Sequence, residues 1–163
     1  MSRKTYKSMV AELAGRVKEI FPWELADELR AGDTPLLLDI RCPDEFAQVR
    51  LRESINVPRG ILESAVDYGY EETEPQLVEA RDRRVVVICR SGNRSVLAAW
   101  TLMQMGYAEV VSLRTGLRGW NDDEQPLYDA AGSLLDPDHV ELLFRPNLTP
   151  AQLGPAGAMR KAG

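Results

Sequence analysis

The sequence predicts an α/β domain with a central, mostly parallel sheet flanked by helices, and three observations predict it. Short apolar strands alternate with helix-length amphipathic segments, the pattern of crossover βαβ units. The strongest strand, Val85-Val86-Val87-Ile88, is β-branched and apolar on both faces, as the centre of a parallel sheet requires. The chain has 163 residues, 44% hydrophobic and 28% charged, long enough to bury a core without disulfides or metals.

Taken in order, residues 4–16 carry Met9, Val10 and Leu13, with Val17 just beyond, at the spacing of an amphipathic helix. Phe21-Pro22-Trp23 opens a second helix ending near Leu29, with Pro22 in the favoured first turn. Leu36 to Ile40 is a buried strand. Pro43-Asp44-Glu45-Phe46 starts a helix with proline first and two acids where the helix dipole favours them. Ile55 to Val57 is a short strand stopped by Pro58, and residues 60–66 and 75–81 read as helices. After the Val85–Ile88 strand, residues 94–105 form a helix with Val96, Trp100 and Met103 on one stripe and Gly106 as its stop. Glu109 to Leu113 is a further strand, and Gly116 and Gly119 punctuate a loop before Trp120. Trp23, Trp100 and Trp120 read as core or packing residues, not as a cofactor box. Beyond about Gln125 the composition shifts, with five of the ten prolines in the last 38 residues. Residues 126–148 read as an ordered appendage holding one helix, His139 to Phe144, and 154–163 as a disordered end.

Composition excludes several functions. Twenty basic against twenty-five acidic residues give a net charge of −5, which argues against a general nucleic-acid binder. Cys42 and Cys89 are too few for a disulfide scaffold and lack paired zinc-site spacing. His139, the one histidine, excludes a histidine-cluster metal site. No stretch approaches the roughly 18 apolar residues of a membrane span. The N-terminus, basic at first, lacks the unbroken apolar core and cleavage site of a signal peptide. A reducing cytoplasm, with no membrane or nucleic-acid partner, is the expected setting.

The chemistry concentrates in Cys89-Arg90-Ser91-Gly92-Asn93-Arg94-Ser95, between a buried parallel strand and a helix. Ligands of open α/β sheets bind at the carboxyl ends of strands, where this loop must lie. Gly92 lets the backbone curl, so the amides of residues 90–95 can converge on one point above a helix N-terminus. Cys89 opens the loop, and its sulfur belongs at that focus. A thiolate there is stabilised by amide dipoles and by Arg90 and Arg94. The plainer alternative is a buried, inert cysteine at a strand end.

These motifs together resemble the rhodanese family over about residues 18–125. Leu36-Leu37-Leu38-Asp39-Ile40-Arg41 resembles its first signature, a strand ending in Asp-x-Arg. Pro43 to Phe46 matches the helix that follows, and Ser54-Ile55-Asn56-Val57-Pro58 the Ala-Ile-Asn-Ile-Pro strand. Cys89 to Ser95 matches the active loop, Cys-x-x-Gly-x-Arg-Ser. Met105-Gly106-Tyr107 and Gly116-Leu117-Arg118-Gly119-Trp120 match the closing signature. The resemblance implies a rhodanese-like three-layer domain with a mostly parallel five-stranded sheet. Residues 1–17 would be a helical extension and 126–163 an appendage. It implies a thiosulfate sulfurtransferase-like enzyme in which Cys89 carries sulfane sulfur as a persulfide. Arg90, Ser91, Gly92, Asn93, Arg94 and Ser95 would cradle a small anionic donor such as thiosulfate. Cyanide, a thiol or a protein would accept the sulfur, and no cofactor or metal is implied.

Two positions depart from the family pattern. Its Gly-His-Ile-Pro-Gly-Ala stretch is replaced by Val49-Arg50-Leu51-Arg52-Glu53-Ser54, with Arg50 at the place of a generally structural histidine. Leu117 replaces the second glycine of the closing pair, so that loop should bend differently. Asp39, Arg41 and Arg59 fall near the rim of the site, as do Arg114 and Arg118. The four arginines either make a basic mouth for an anion or, in the case of Arg41 together with Asp39, pair with neighbours to hold the loops. Cys42 is a resolving thiol or merely a helix start.

Three other functions compete. A cysteine phosphatase uses Cys-x5-Arg, one residue longer than Cys89 to Arg94. A binding or signalling module on this fold would need no turnover. A Cys-His hydrolase would need His139 as its base, although that residue reads as a surface histidine at a helix start.

Overall fold

The computed structural model describes residues 2–155. The apolar runs form β2 (Leu36–Asp39), β3 (Ile55–Asn56), β4 (Arg84–Ile88) and β5 (Glu109–Leu113), and β1 (Lys18–Ile20) joins them. The order across the sheet is β1-β5-β4-β2-β3, and every pairing is parallel. The α/β class and the five-stranded parallel sheet expected from sequence are thus observed. β4 lies at the centre, as its two apolar faces require, with Val86 in register with Leu37 on one side and Val111 on the other.

The helices are α1 (Tyr6–Ala14), α2 (Pro22–Arg30), α3 (Pro43–Gln48), α4 (Leu62–Ala65), α5 (Pro75–Val78), α6 (Arg94–Gln104), α7 (Gly116–Asp122), α8 (Pro137–Phe144) and α9 (Pro150–Leu153). Proline opens α2, α3, α5, α8 and α9 in the first turn, where its missing N–H has no intrahelical partner to lose. Strand side chains alternate between the two faces. Leu36, Leu38, Val85, Val87 and Val110 pack with Leu62, Leu77, Val96, Ala99 and Leu102, and Val10 and Leu13 of α1 close on that layer. Leu37, Val86, Ile88, Val111 and Leu113 pack with Leu25, Leu117, Trp120, Val140 and Phe144.

The second layer includes the proline-rich region. Trp120 Nε1 donates to the Pro126 carbonyl at 2.9 Å, and Asn121 Nδ2 to that of Pro137 at 3.1 Å. Val140 and Phe144 of α8 are buried beneath them. The disordered end expected over 154–163 lies, from residue 156 onward, outside the described residues. No helix among the described residues is long and apolar enough to cross a membrane.

Four details differ from the sequence reading. β1 carries no signature of its own, because Lys18-Glu19-Ile20 is short and partly polar; pairing of Lys18 with Val111 and Ile20 with Leu113 makes it a strand. The segment expected as a loop around Gly116 and Gly119 is helix α7. Its glycines serve close approach, since a Cβ on Gly119 would lie 2.4 Å from Thr115 Cβ. In α6 the buried face is Ser95, Val96, Ala98, Ala99 and Leu102, while Met103 is exposed. The small alanines let the helix sit close on the sheet. Trp23 is not a core residue: half-exposed, it stacks on Phe21 with ring centroids 4.4 Å apart.

Candidate active site

β4 ends at Ile88 and α6 begins at Arg94, so Cys89 to Asn93 form the turn between the central strand and a helix N-terminus. The turn reverses at Gly92, whose φ is +86° and whose added Cβ would meet the Thr115 amide nitrogen at 2.7 Å. Glycine is required there both for conformation and for space. The buried Cys89 Sγ accepts hydrogen bonds from the amides of Gly92, at 3.1 Å, and Ser95, at 3.4 Å. Ser95 Oγ lies 3.4 Å from the sulfur and 2.7 Å from Ser112 Oγ. Two backbone N–H groups thus aim their dipoles at the sulfur, and the Ser95–Ser112 hydroxyl pair lies behind it.

Two neighbouring segments fix this loop. α7 supports its start: the amide of Leu117 donates to the Cys89 carbonyl at 3.0 Å and that of Arg118 to the Arg90 carbonyl at 2.9 Å. α3 holds its end. Arg94 Nη1 and Nη2 fork onto Glu45 at 3.0 and 2.9 Å, and the Cys42 amide donates to the same carboxylate at 3.0 Å. Burial would raise the Glu45 carboxyl, but the hydrogen bonds from Arg94 and Cys42 overcome it and hold the group at about 2. That lies below its ordinary 4.5, so the clamp's contribution to stability is full above that value and is lost as pH falls through about 2.

The other residues singled out in the sequence fall in distinct places. Arg90 is half-buried, and Ser91 and Asn93 are exposed on the outside of the turn. Arg41 does not line a basic mouth: it is fully buried, with Nε and Nη2 on the Asp39 carboxylate and Nη2 also on the Val49 carbonyl. Arg59 turns to Glu63 and Thr101, away from the loop. Arg114 stacks over the Phe21 ring at 5.0 Å. Arg118 borders a hollow of about 520 Å³ with Phe21, Trp23 and Ser91. Arg50, at the place of the family's histidine, bonds the Phe46 carbonyl and lies over its ring at 4.0 Å. Cys42 is exposed at the start of α3; because β2 and β4 are parallel neighbours, it emerges at the same end of the sheet as Cys89. His139 is exposed in the first turn of α8, on the layer opposite Cys89, which removes it as a base for this cysteine.

Two contributors had no local signal. Ser112 sits inside an apolar strand, and only the β4–β5 pairing brings its hydroxyl to Ser95. Glu45 stands in a matched motif, yet its bond to Arg94 spans 49 positions of sequence.

Gly116 shows how tightly the loop is seated. Its φ is +61°, and a Cβ there would lie 2.5 Å from the Cys89 and Arg90 carbonyl oxygens. Gly116→Ala is expected to destabilise the fold by about 1–3 kcal/mol and to impair reactivity of the Cys89 thiol. Denaturant unfolding together with alkylation rates at Cys89 would check both effects; a variant native-like in each would show that the α7 turn does not constrain the loop.

Fold and loop define a class of α/β proteins: a cysteine heads a glycine-bearing turn at the carboxyl end of a central parallel strand, with the turn's amides directed at its sulfur. The rhodanese-like domain family matches residues 22–123, and the chain belongs to that family. It is 33% identical over 116 residues to a sulfurtransferase of Allochromatium vinosum, covering 71% of this chain and 99% of that one. A structure from Rhodopseudomonas palustris, a protein of unknown function described as a possible tyrosine phosphatase, superimposes with a TM-score of 0.70 at 26% identity. The match covers 77% of this chain and 96% of that one. The fold is shared with a thiosulfate sulfurtransferase of Pseudomonas aeruginosa, at TM-score 0.63 and 24% identity, over 80% of this chain and 24% of that one.

Proposed function

We propose that the protein is a sulfurtransferase that carries sulfane sulfur as a persulfide on Cys89. The observation that carries this reading is the sulfur's position at the head of the loop, hydrogen-bonded by the Gly92 and Ser95 amides. Its kinship with a sulfurtransferase over nearly the whole of that relative supports it.

The chemistry balances without a cofactor. The Cys89 thiolate attacks the outer sulfur of thiosulfate; the new S–S bond forms as the donor's S–S bond breaks, and sulfite leaves with the electron pair. Cyanide then attacks the terminal persulfide sulfur, thiocyanate leaves and the thiolate returns. The thiolate is itself the nucleophile, so its attack on the donor needs no general base. The amides of Ser91 to Ser95 are the anion cradle, and they act where charge gathers on the transferring sulfur. Arg90 and Arg94 add positive potential. Because Glu45 occupies the Arg94 fork, that residue contributes charge and holds the loop.

Phosphate ester hydrolysis is the second reading, raised by the description of the R. palustris structure. Two features weigh against it. Cys89 to Arg94 is one residue shorter than a Cys-x5-Arg phosphate loop, and the arginine fork that would grip a phosphoryl group is already on a carboxylate.

Intact mass is the direct test. The protein is expected to gain one sulfur atom from thiosulfate and to lose it to cyanide, at Cys89. No gain in mass, or aryl phosphate hydrolysis faster than thiosulfate turnover, would overturn the assignment.

A further inference from the structure

α1 lies outside residues 22–123, yet it borders the Cys89 loop. The sequence explains how it is held there. Thr5 and Ser8 cap each other's amides at 3.0 and 2.9 Å, which fixes where the helix starts. Val10 and Leu13 pack on the core layer that contains Cys89. Past the helix end, the Arg16 guanidinium lies over the Trp100 ring of α6 at 5.6 Å.

Tyr6, Val10 and Ala14 are spaced four apart and so share one stripe of α1. Val10 and Ala14 border a hollow of about 280 Å³ whose other walls include Ser91, Gly92 and Asn93. Tyr6 and Val10 border a second, of about 480 Å³, with Asn93 opposite. The stripe therefore runs along the outside of the cradle turn. Tyr6 supplies its polar group, a half-exposed phenol within electrostatic reach of Cys89, Arg90 and Arg94 together. Partial burial and then the Cys89 thiolate push the phenol's pKa up from 10.0, against the opposing pull of Arg94 and Arg90. At neutral pH the hydroxyl keeps its proton and can donate a hydrogen bond to an anion.

We propose that Tyr6 is a donor-binding residue of the Cys89 site, its O–H hydrogen-bonding the sulfonate oxygens of a thiosulfate-like donor at the mouth of the loop. The proposal rests on the persulfide reading. As the thiolate attacks the outer sulfur, negative charge gathers on the departing sulfite, and the phenol stabilises it without giving up its proton. In the discharge by cyanide no sulfonate is present, so Tyr6 has nothing to bind. The two half-reactions must then respond differently to its loss.

Tyr6→Phe keeps the ring and removes the hydroxyl. It is expected to slow persulfidation by thiosulfate about tenfold in kcat/KM, the loss expected for one hydrogen bond to a charged group that strengthens as sulfite departs. Discharge of the preformed persulfide by cyanide should be unchanged. Tyr6→Ala should show at least the same loss, and the melting temperature of each variant reports its folding. Rapid-mixing measurements followed by intact mass would read both half-reactions. A Tyr6→Phe rate equal to native, whether or not Tyr6→Ala is slow, would overturn the role of the hydroxyl. Equal slowing of both half-reactions would also overturn it, since that is the mark of a distorted loop. A native protein that took up no sulfur would instead end the sulfurtransferase reading itself.

Discussion

Cys89→Ser is expected to eliminate sulfur transfer, a loss of at least about a thousandfold, while Cys42→Ser retains most of the native rate. Both cysteines are free and emerge at the same end of the sheet, but only Cys89 has a sulfur held by loop amides. A serine hydroxyl in the same place cannot form a persulfide. It is close to isosteric, so the buried position should tolerate it and circular dichroism should be native. Thiocyanate production from thiosulfate and cyanide measures turnover. Comparable turnover in Cys89→Ser would refute the persulfide assignment. Loss of activity in both folded variants would make Cys42 a partner in the cycle.

Arg41→Ala should cost about 3–5 kcal/mol of stability. The Arg41 guanidinium is 1% exposed and is held by the Asp39 carboxylate, itself 0% exposed, and by the Val49 carbonyl. Asn56 Nδ2 adds part-buried bonds of 3.0 Å to the carbonyls of Asp39 and Arg41, so the ends of β2 and β3 share one network. Removing the arginine takes away the Asp39 counter-charge, leaving that carboxylate only the backbone amide of residue 41, and strips the guanidinium from the Val49 carbonyl in a site closed to water; this uncompensated buried charge supplies the effect. Urea unfolding would measure it, with a fall in melting temperature on the order of 10 °C. Replacing both residues by apolar ones of similar volume should recover much of the loss. A cost under about 1 kcal/mol for Arg41→Ala would mean that water reaches the pair after all.

The sequence shows this molecule best where its chemistry is local. The run from Val85 to Ser95 contains strand, nucleophile, glycine turn and helix start within eleven positions, and each part restricts the next. β2 and β5 announce themselves by apolar runs. What stayed hidden depends on distant partners. Lys18 to Ile20 becomes a strand because β5 lies beside it. The direction of Arg41 depends on a carbonyl eight positions on, and the Arg94 fork on a carboxylate from α3. Ser112 and Tyr6 read as unremarkable until the fold sets one behind Ser95 and the other beside the loop. The glycines of α7 were legible as special but not as helical, because glycine suits a turn and a tight helix contact equally well.

The edges of the sheet carry one more consequence. Its outermost strands are its shortest, three residues in β1 and two in β3, whereas the apolar β2, β4 and β5 lie inside. Proline follows closely on each edge, Pro22 after β1 and Pro58 after β3. An incoming chain would find only a few unpaired backbone groups on either side before meeting a residue that cannot donate. The most β-branched stretch, Val85 to Val87, is paired on both sides in the native state, so drawing it into a cross-β fibril requires the sheet to open first.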